Sequence, residues 1–420
     1  MKKNLSKEAY FWIDYINSFT KDGYRLFGNV WWYSLVHEKN IFKSMSFHNF
    51  FKMNMPDNRW IRLESVLRGI VKYLSFIYRY LNKPRRDTKF KWSLIVSYGE
   101  SHLKKLEDTG ESTIIVIPTK NNYKRLLQDD KYRLIDEWLT LKDFFVVLVK
   151  YFQTLCKFIF KIKVGKFKGY TWRQKVYTKF LLECVKEDWW RSFAGDVLVE
   201  GLFFERMFKN LEKQGRDKIT KVKYAYEGQA WEKGLCIAFK GYNKRGELQS
   251  AVGQNTLQYY YHPDELKIMP RPDKIDVCGF VAFETMTEFY GKDVFVVGDL
   301  RMNVKNKLMN FKKDDIIKEK TLVILGPVVK MNQELLEWVK QNREDFMVKI
   351  HGDDRSDYSG YKIVNDFYSE LNNIKEVITF TSTLVIEAAA LGVDVITPSL
   401  PSFVSLNLIG IGKDLNKHFI

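Results

Sequence analysis

The 420-residue sequence predicts an α/β protein of two lobes, each built on a parallel sheet wound on both faces, with a helical extension at the N-terminus. Three observations predict it. The chain is too long for one core of common size and suits two domains with some extra helices. Short runs rich in Val, Ile, Phe and Leu recur along it, with the length and composition of strands buried on both faces. Helical stretches lie between those runs on short loops, the alternation that winds a parallel sheet.

Residues 1–90 read as helical and irregular, basic and aromatic, and 60–81 (WIRLESVLRGIVKYLSFIYRYL) place apolar residues three and four apart. Pro84, among basic residues, punctuates the end of that block. The first sheet then begins with strands at 92–98 (WSLIVSY) and 112–118 (STIIVIP), followed by helices at 141–163 and 176–185 and a strand at 221–226 (KVKYAY). The stretch 259–276 holds Pro263, Pro270 and Pro272 and has neither period, so it is expected to cross between lobes. The second lobe is expected to have strands at 293–297, 321–325, 346–350, 376–380 and 393–397, with helices at 333–342, 366–372 and 382–391. The division falls at 265/266: residues 1–265 make the first lobe with its extension, and residues 266–420 the second.

A formal charge of +17 points to anionic substrates or partners. The basic residues are spread through helices of the first half, and no helix-turn-helix, zinc-finger or RNP-like pattern occurs, so nucleic acid is not an expected partner. Neither P-loop nor GxGxxG spacing is present, which removes support for ATP hydrolysis and dinucleotide redox chemistry. Cys156, Cys184, Cys236 and Cys278 show no CxxC spacing, so neither disulfides nor a thiolate metal site is expected. The basic start lacks an apolar region and a cleavage site, so no signal peptide is read and a cytoplasmic location is expected. No run is apolar enough to span a bilayer. The nearest is 141–163, where five lysines interrupt a Phe, Val and Leu-rich run. Two readings of it stand: a helix lying in the headgroup region of an anionic membrane surface, or one covering a sheet with its lysines snorkelling at the edges.

In open parallel sheets ligands sit beyond the carboxyl ends of the strands, and three motifs fall there. Glu227, between Tyr226 and Gly228, follows the strand at 221–226 and is placed to act as a general base on a hydroxyl, or simply to cap or face solvent. Lys349, His351 and Gly352 end the strand at 346–350, where a Lys and an imidazole can meet a phosphate and stabilise charge on a leaving group. Ser382 and Thr383 open a small-residue helix after the strand at 376–380, offering hydroxyls and backbone N–H groups at a positive helix end, with Glu387 a turn on for a ribose hydroxyl. A capped helix is the plainer reading of that third motif. His262, beside Pro263, and Arg301, in the loop after the strand at 293–297, are further candidates for lining a cleft.

The order Glu-Gly, Lys-x-His-Gly, Thr-Ser-Thr resembles the (Asp/Glu)-Gly, His-Pro and Ser-Ser/Thr motifs of bacterial sialyltransferases and polysialyltransferases of the GT-B fold. The stretches Trp31 to Lys39 and Tyr226 to Glu232 also resemble a family of surface carbohydrate biosynthesis proteins. The resemblance implies two Rossmann-like lobes facing a cleft, with a glycan or glycolipid acceptor on the first and a nucleotide-sugar donor on the second. It implies Glu227 as the base on the acceptor hydroxyl, His351 assisting departure of the nucleotide phosphate, and Ser382 and Thr383 binding that phosphate. It implies inverting transfer from a CMP-activated acidic sugar, a nonulosonic acid or Kdo, in building bacterial capsule, lipopolysaccharide or O-antigen, with no metal or cofactor. Tyr226 stands where the family has the first acid of its pair, and Gly352 where it has Pro; His262-Pro263 matches the His-Pro dipeptide better and is the rival to His351 for that motif. CDP-glycerol phosphotransferases of teichoic acid synthesis share a similar second lobe. A membrane or nucleic-acid-binding scaffold without activity is the other class, and it would tolerate loss of Glu227.

Overall fold

The computed structural model describes residues 23–34, 58–84, 86–99, 111–119, 122–129, 131–161, 186–248, 268–277, 283, 286–287, 290–297, 319–326, 329–351, 354, 356–370, 373–379, 382, 384, 388 and 393–398. Within them two sheets form, each with every pairing parallel. The first has seven strands: β1 (Ser93–Tyr98), β2 (Ser112–Ile117), β3 (Arg133–Leu134), β4 (Lys221–Tyr226), β5 (Asn243–Leu248), β6 (Lys274–Val277) and β7 (Val294–Val296). Their spatial order is β3-β2-β1-β4-β5-β6-β7. The second has five: β8 (Lys320–Ile324), β9 (Phe346–Lys349), β10 (Lys362–Ile363), β11 (Ile374–Ile378) and β12 (Asp394–Ile396), in the order β10-β9-β8-β11-β12. Each sheet therefore grows from its first strand to one edge and then jumps back to grow the other way, a Rossmann-like arrangement. The reversal falls between β1 and β4 in one sheet and between β8 and β11 in the other.

The helices are α1 (Val30–Tyr33), α2 (Asn58–Asn82), α3 (Tyr123–Leu127), α4 (Leu141–Lys161), α5 (Lys186–Ala194), α6 (Asp196–Gly215), α7 (Ala230–Ala238) and α8 (Val329–Asn342). Helix α6 is the hub of the first core and packs against α7, α2, α5 and α4. Its apolar residues are spread over several faces, as a helix covered on most sides requires, with Leu198, Leu202, Phe203, Met207, Phe208 and Leu211 buried. Helix α4 is tied to it by Asp143, whose buried carboxylate accepts from the Thr140 backbone N–H (2.8 Å), Arg206 Nε (2.6 Å) and Asn210 Nδ2 (2.7 Å). One acid thus caps α4 and pairs with α6, which is how a buried charge is tolerated.

The expected N-terminal extension is part of the first core rather than an appendage. Phe27, Trp31, Trp32 and Phe76 pack in one cluster with Leu94, Val96 and Val222 of the sheet. Tyr33 is fully buried and its hydroxyl donates to the buried Glu205 carboxylate. The second sheet has separate cores on its two faces, one around Leu322, Met347 and Val377, the other around Val323, Leu335 and Val348.

Three expectations are corrected. The strand read at 293–297 as the start of the second lobe is β7, and with β6 it extends the first sheet beyond the 265/266 division, burying Ile275, Val277 and Val294 in the first core. The prolines at 270 and 272 precede a strand instead of marking a crossing between lobes. The helix expected at 366–372 gives way to turns over 366–370, because Asp366 Oδ1 accepts the Tyr368 backbone N–H (3.1 Å), a local bond that competes with a helical one. The helix expected at 176–185 lies outside the described residues.

Candidate functional site

The carboxyl ends of β1 and β4 are neighbours at the first reversal, and both chains leave through a glycine in the left-handed region: Gly99 with φ 69° and Gly228 with φ 83°. Such turns suit glycine, since a Cβ there is strained. They let the backbone bend away at once and leave a crevice above the sheet, the place where open α/β sheets take ligands. Glu227 stands at that crevice, half-buried, with its Oε2 accepting from Gln229 Nε2 at 2.8 Å. Gln229 is held in turn by Trp231 Nε1, which donates to its Oε1 at 2.8 Å. The orientation of Glu227 is thus set by a two-step chain anchored on an indole in the core.

Glu232, in the first turn of α7, is a residue that motif reading passed over. It is 1% exposed, and its two oxygens accept the backbone N–H groups of Glu227 (2.9 Å) and Gly228 (2.7 Å), so it clamps the loop carrying Glu227 onto the helix. Burial pushes its carboxyl up to about 8, against the pull of those N–H donors and with a further push from Glu227. A strongly shifted acid beside a second carboxyl in a crevice is a mark of functional sites. The signal in the sequence was an acid three residues after Gln229, the position from which a side chain reaches back to a helix start. Tyr98, at the end of β1, is also perturbed: burial and then the charge of Glu200 raise its hydroxyl.

At the second reversal, β8 is followed by Leu325 and Gly326, with β9 on one side and β11 on the other. Adjacent strands lie about 4.8 Å apart, so the carboxyl ends of β9 and β11 are roughly 10 Å apart across β8. His351 follows β9, half-buried, and its carbonyl accepts the Asp354 N–H at 3.0 Å. Lys349 Nζ donates to the Asn365 carbonyl at 2.7 Å, which spends one of its three donors on the chain beside β10. Ser382 follows β11, and its Oγ accepts the Leu384 N–H at 3.3 Å, the capping bond anticipated as the plainer reading.

A buried network fixes the loops around these residues. Asn332 of α8 accepts the Gly326 N–H (2.8 Å), donates to the Gly326 carbonyl (2.9 Å) and donates to Asp354 Oδ2 (2.8 Å), which also accepts from the Tyr358 hydroxyl (2.7 Å). Burial raises Asp354, yet its bonds from Tyr358, Ser356 and Asn332 outweigh that and hold the carboxyl below the usual range. Burial and Asp354 push the Tyr358 hydroxyl up to about 12. The loops after β8 and β9 are thereby locked to one another, and sequence reading had singled out none of these three residues.

The structure thus assembles Lys349, His351 and Ser382 around one sheet end and places Glu227 at the reversal of the other sheet. Gly352, Thr383, Glu387, His262 and Arg301 lie outside the described residues. A cavity of about 820 Å³ lined by Trp32, Lys244, Arg271, Asp273 and Asp293 opens at the amino ends of β5, β6 and β7, at the edge of the sheet opposite Glu227. Among the described residues no group of three or more His, Cys, Asp or Glu is placed to hold a metal ion.

Fold and sites together define an α/β protein with two parallel sheets, each with a reversal crevice. No protein-family model matches the chain, and a search of the curated proteins returns no match.

Proposed function

We propose that the chain is a GT-B glycosyltransferase of bacterial surface polysaccharide synthesis, acting in the cytoplasm on a CMP-activated acidic sugar. The observation that carries the reading is the occupancy of strand ends: a carboxylate at the reversal of the first sheet, and an imidazole and a hydroxyl flanking the reversal of the second. Transfer to a hydroxyl needs a base on the acceptor side and groups that accommodate charge on the departing phosphate.

In this reading Glu227 takes the proton of the acceptor hydroxyl as its oxygen attacks the anomeric carbon. The bond from that carbon to the CMP phosphate breaks on the opposite face, which inverts the centre. His351 and Ser382 donate to the phosphate oxygens that gain charge, and Lys349, with two donors beyond its bond to Asn365, adds a cation nearby. Glu232 holds the loop so that Glu227 has one orientation, and preorganisation of this kind is what a base contributes beyond its basicity. Calorimetric titration of nucleotides against the wild type, Ser382→Ala and His351→Ala tests the donor side.

A further inference from the structure

Helices α2 and α4 carry apolar residues on faces that the core does not use. On α2 these are Leu63, Leu67, Ile70, Val71, Leu74, Tyr78 and Leu81, with Leu81 74% exposed. On α4 they are Leu141, Phe145, Leu148, Val149, Phe152, Ile159 and Phe160, with Phe145 70% and Phe160 77% exposed, and Cys156 is exposed among them. Counted from Leu63 and from Leu141, the two stripes share the offsets 4, 7, 8, 11, 15 and 18. Each is a single ribbon along a helix.

The helices run antiparallel and are joined through side chains, with α5 packing against both. Tyr73 donates to the Phe144 carbonyl at 3.0 Å and Tyr80 meets the Phe144 ring edge-on at 5.5 Å, joining the C-terminal half of α2 to the start of α4. At the other end, Arg62 lies 5.3 Å over Trp190 and Phe158 packs on the same indole at 4.9 Å. At about 100° per residue, Tyr73 and Tyr80 fall roughly 80–100° to one side of Leu63, and Phe144 and Phe158 roughly 60–100° to the same side of Leu141. Antiparallel helices that meet through the same side of their stripes turn both stripes to one surface. The opposite faces of both helices, with Phe76, Val147 and Phe158, are buried in the first core, so α4 covers helices and not a sheet. Two exposed apolar stripes turned to one surface of a folded chain mark an interaction site.

We infer that this two-helix face docks on the surface of an anionic phospholipid bilayer, independently of the transfer reaction proposed above. Charge selects that occupant. The two helices hold nine basic and two acidic residues, and four of the nine pair with acids: Arg68 with Glu64, Lys72 with Glu200, Arg79 with Asp136 and Lys150 with Glu205. Both acids are spoken for, Glu64 by Arg68 and Asp143 by Arg206. Lys142 and Lys157 are exposed on the flank of α4 away from α2, Lys157 also donating to the Leu26 carbonyl, and Arg62 is exposed on α2. An apolar face with exposed cations beside it fits headgroups that are negative above an acyl interior. No helix among the described residues is long and apolar enough to cross a membrane, so the face lies on the bilayer and does not span it.

The test is flotation of the full chain with vesicles of phosphatidylcholine alone and with about one part in three phosphatidylglycerol. Phe145→Glu/Phe152→Glu on α4 and Leu67→Glu/Leu74→Glu on α2 are compared with the wild type. All four positions are exposed, and circular dichroism checks that each variant keeps its fold. The wild type is expected to float with the anionic vesicles and far less with the neutral ones, and each pair of substitutions to weaken binding by about tenfold or more. Absence of wild-type binding to anionic vesicles, or undiminished binding of both folded variants, overturns the inference. So does a wild-type dimer in light scattering that both variants dissociate, since a second copy is then the occupant.

Discussion

Replacing Glu232 by Gln keeps the shape of a buried side chain and removes its titration. In the folded chain burial holds this carboxyl at about 8, whereas 4.5 is its ordinary value. The folded state therefore binds the proton more tightly than the unfolded one between those limits. For an acid raised in this way the stabilising term is fully present below the unfolded value and is lost as pH rises toward the folded one. The loss amounts to about 1.4 kcal/mol per pH unit inside that window, or on the order of 3 kcal/mol from about pH 5 to pH 7. Gln has no such slope. It offers one oxygen and one NH₂ to two N–H donors, so it carries a constant penalty of about 1–3 kcal/mol for the bond to Glu227 or Gly228 that it cannot make. The assay is urea unfolding followed by tryptophan fluorescence, with Trp31, Trp32, Trp189 and Trp231 reporting the first core. Wild type is expected to be the more stable at about pH 5, and its lead to shrink or reverse by about pH 7. A stability difference that stays constant across that range would refute the reasoning, because it would mean that Glu232 is ionised throughout.

Two further outcomes follow from the same geometry. A Cβ at Gly201 would sit 2.7 Å from the Tyr33 ring, so Gly201→Ala must displace the hydroxyl that donates to buried Glu205; a loss of roughly 2–3 kcal/mol is expected in thermal unfolding, opposite in sign to the usual gain from Gly→Ala within a helix. Glu227→Gln leaves the fold in place, since Glu227 is half-buried and its loop is held by Glu232, yet it should lower release of CMP from a CMP-linked acidic sugar in the presence of acceptor by about 10²-fold or more.

Much of the architecture was legible because the central strands β1, β2, β4, β8, β9 and β11 are short runs that bury both faces, and such runs carry their own signature. Strand β5 was not legible. Its sequence, NKRGEL, reads as a turn, and it works as an inner strand because Lys244 pairs with Asp273 (2.8 Å), Arg245 with Asp276 (2.5 Å) and Lys223 with Glu247 (3.5 Å). Gly246 is needed there, since a Cβ would come within 3.0 Å of both Pro272 and the Tyr226 side chain. Those partners are distant in sequence, so no local pattern announces them. The same reason hid the limit of the first lobe: β6 follows Pro270 and Pro272 closely, β7 is three residues long, and neither can be assigned to a sheet before β5 is known. At the candidate site, Glu227, His351 and Ser382 were singled out because strand ends in parallel sheets are where ligands go, and strand ends are where they lie. Glu232, Asn332 and Asp354 were missed because their roles consist of bonds to loop backbone and to each other, which spacing along the chain does not encode.

The most direct test of a nucleotide-sugar transferase is whether it binds the nucleotide its donor would leave behind. Calorimetric titration of CMP, CDP, UDP and GDP into the wild type should show selective cytidine-nucleotide binding, weakened by about 1–3 kcal/mol in His351→Ala and in Ser382→Ala, each of which removes one phosphate donor. Failure of all four nucleotides to bind, or equal binding by wild type and both variants, would contradict the assignment of the second sheet as a donor site.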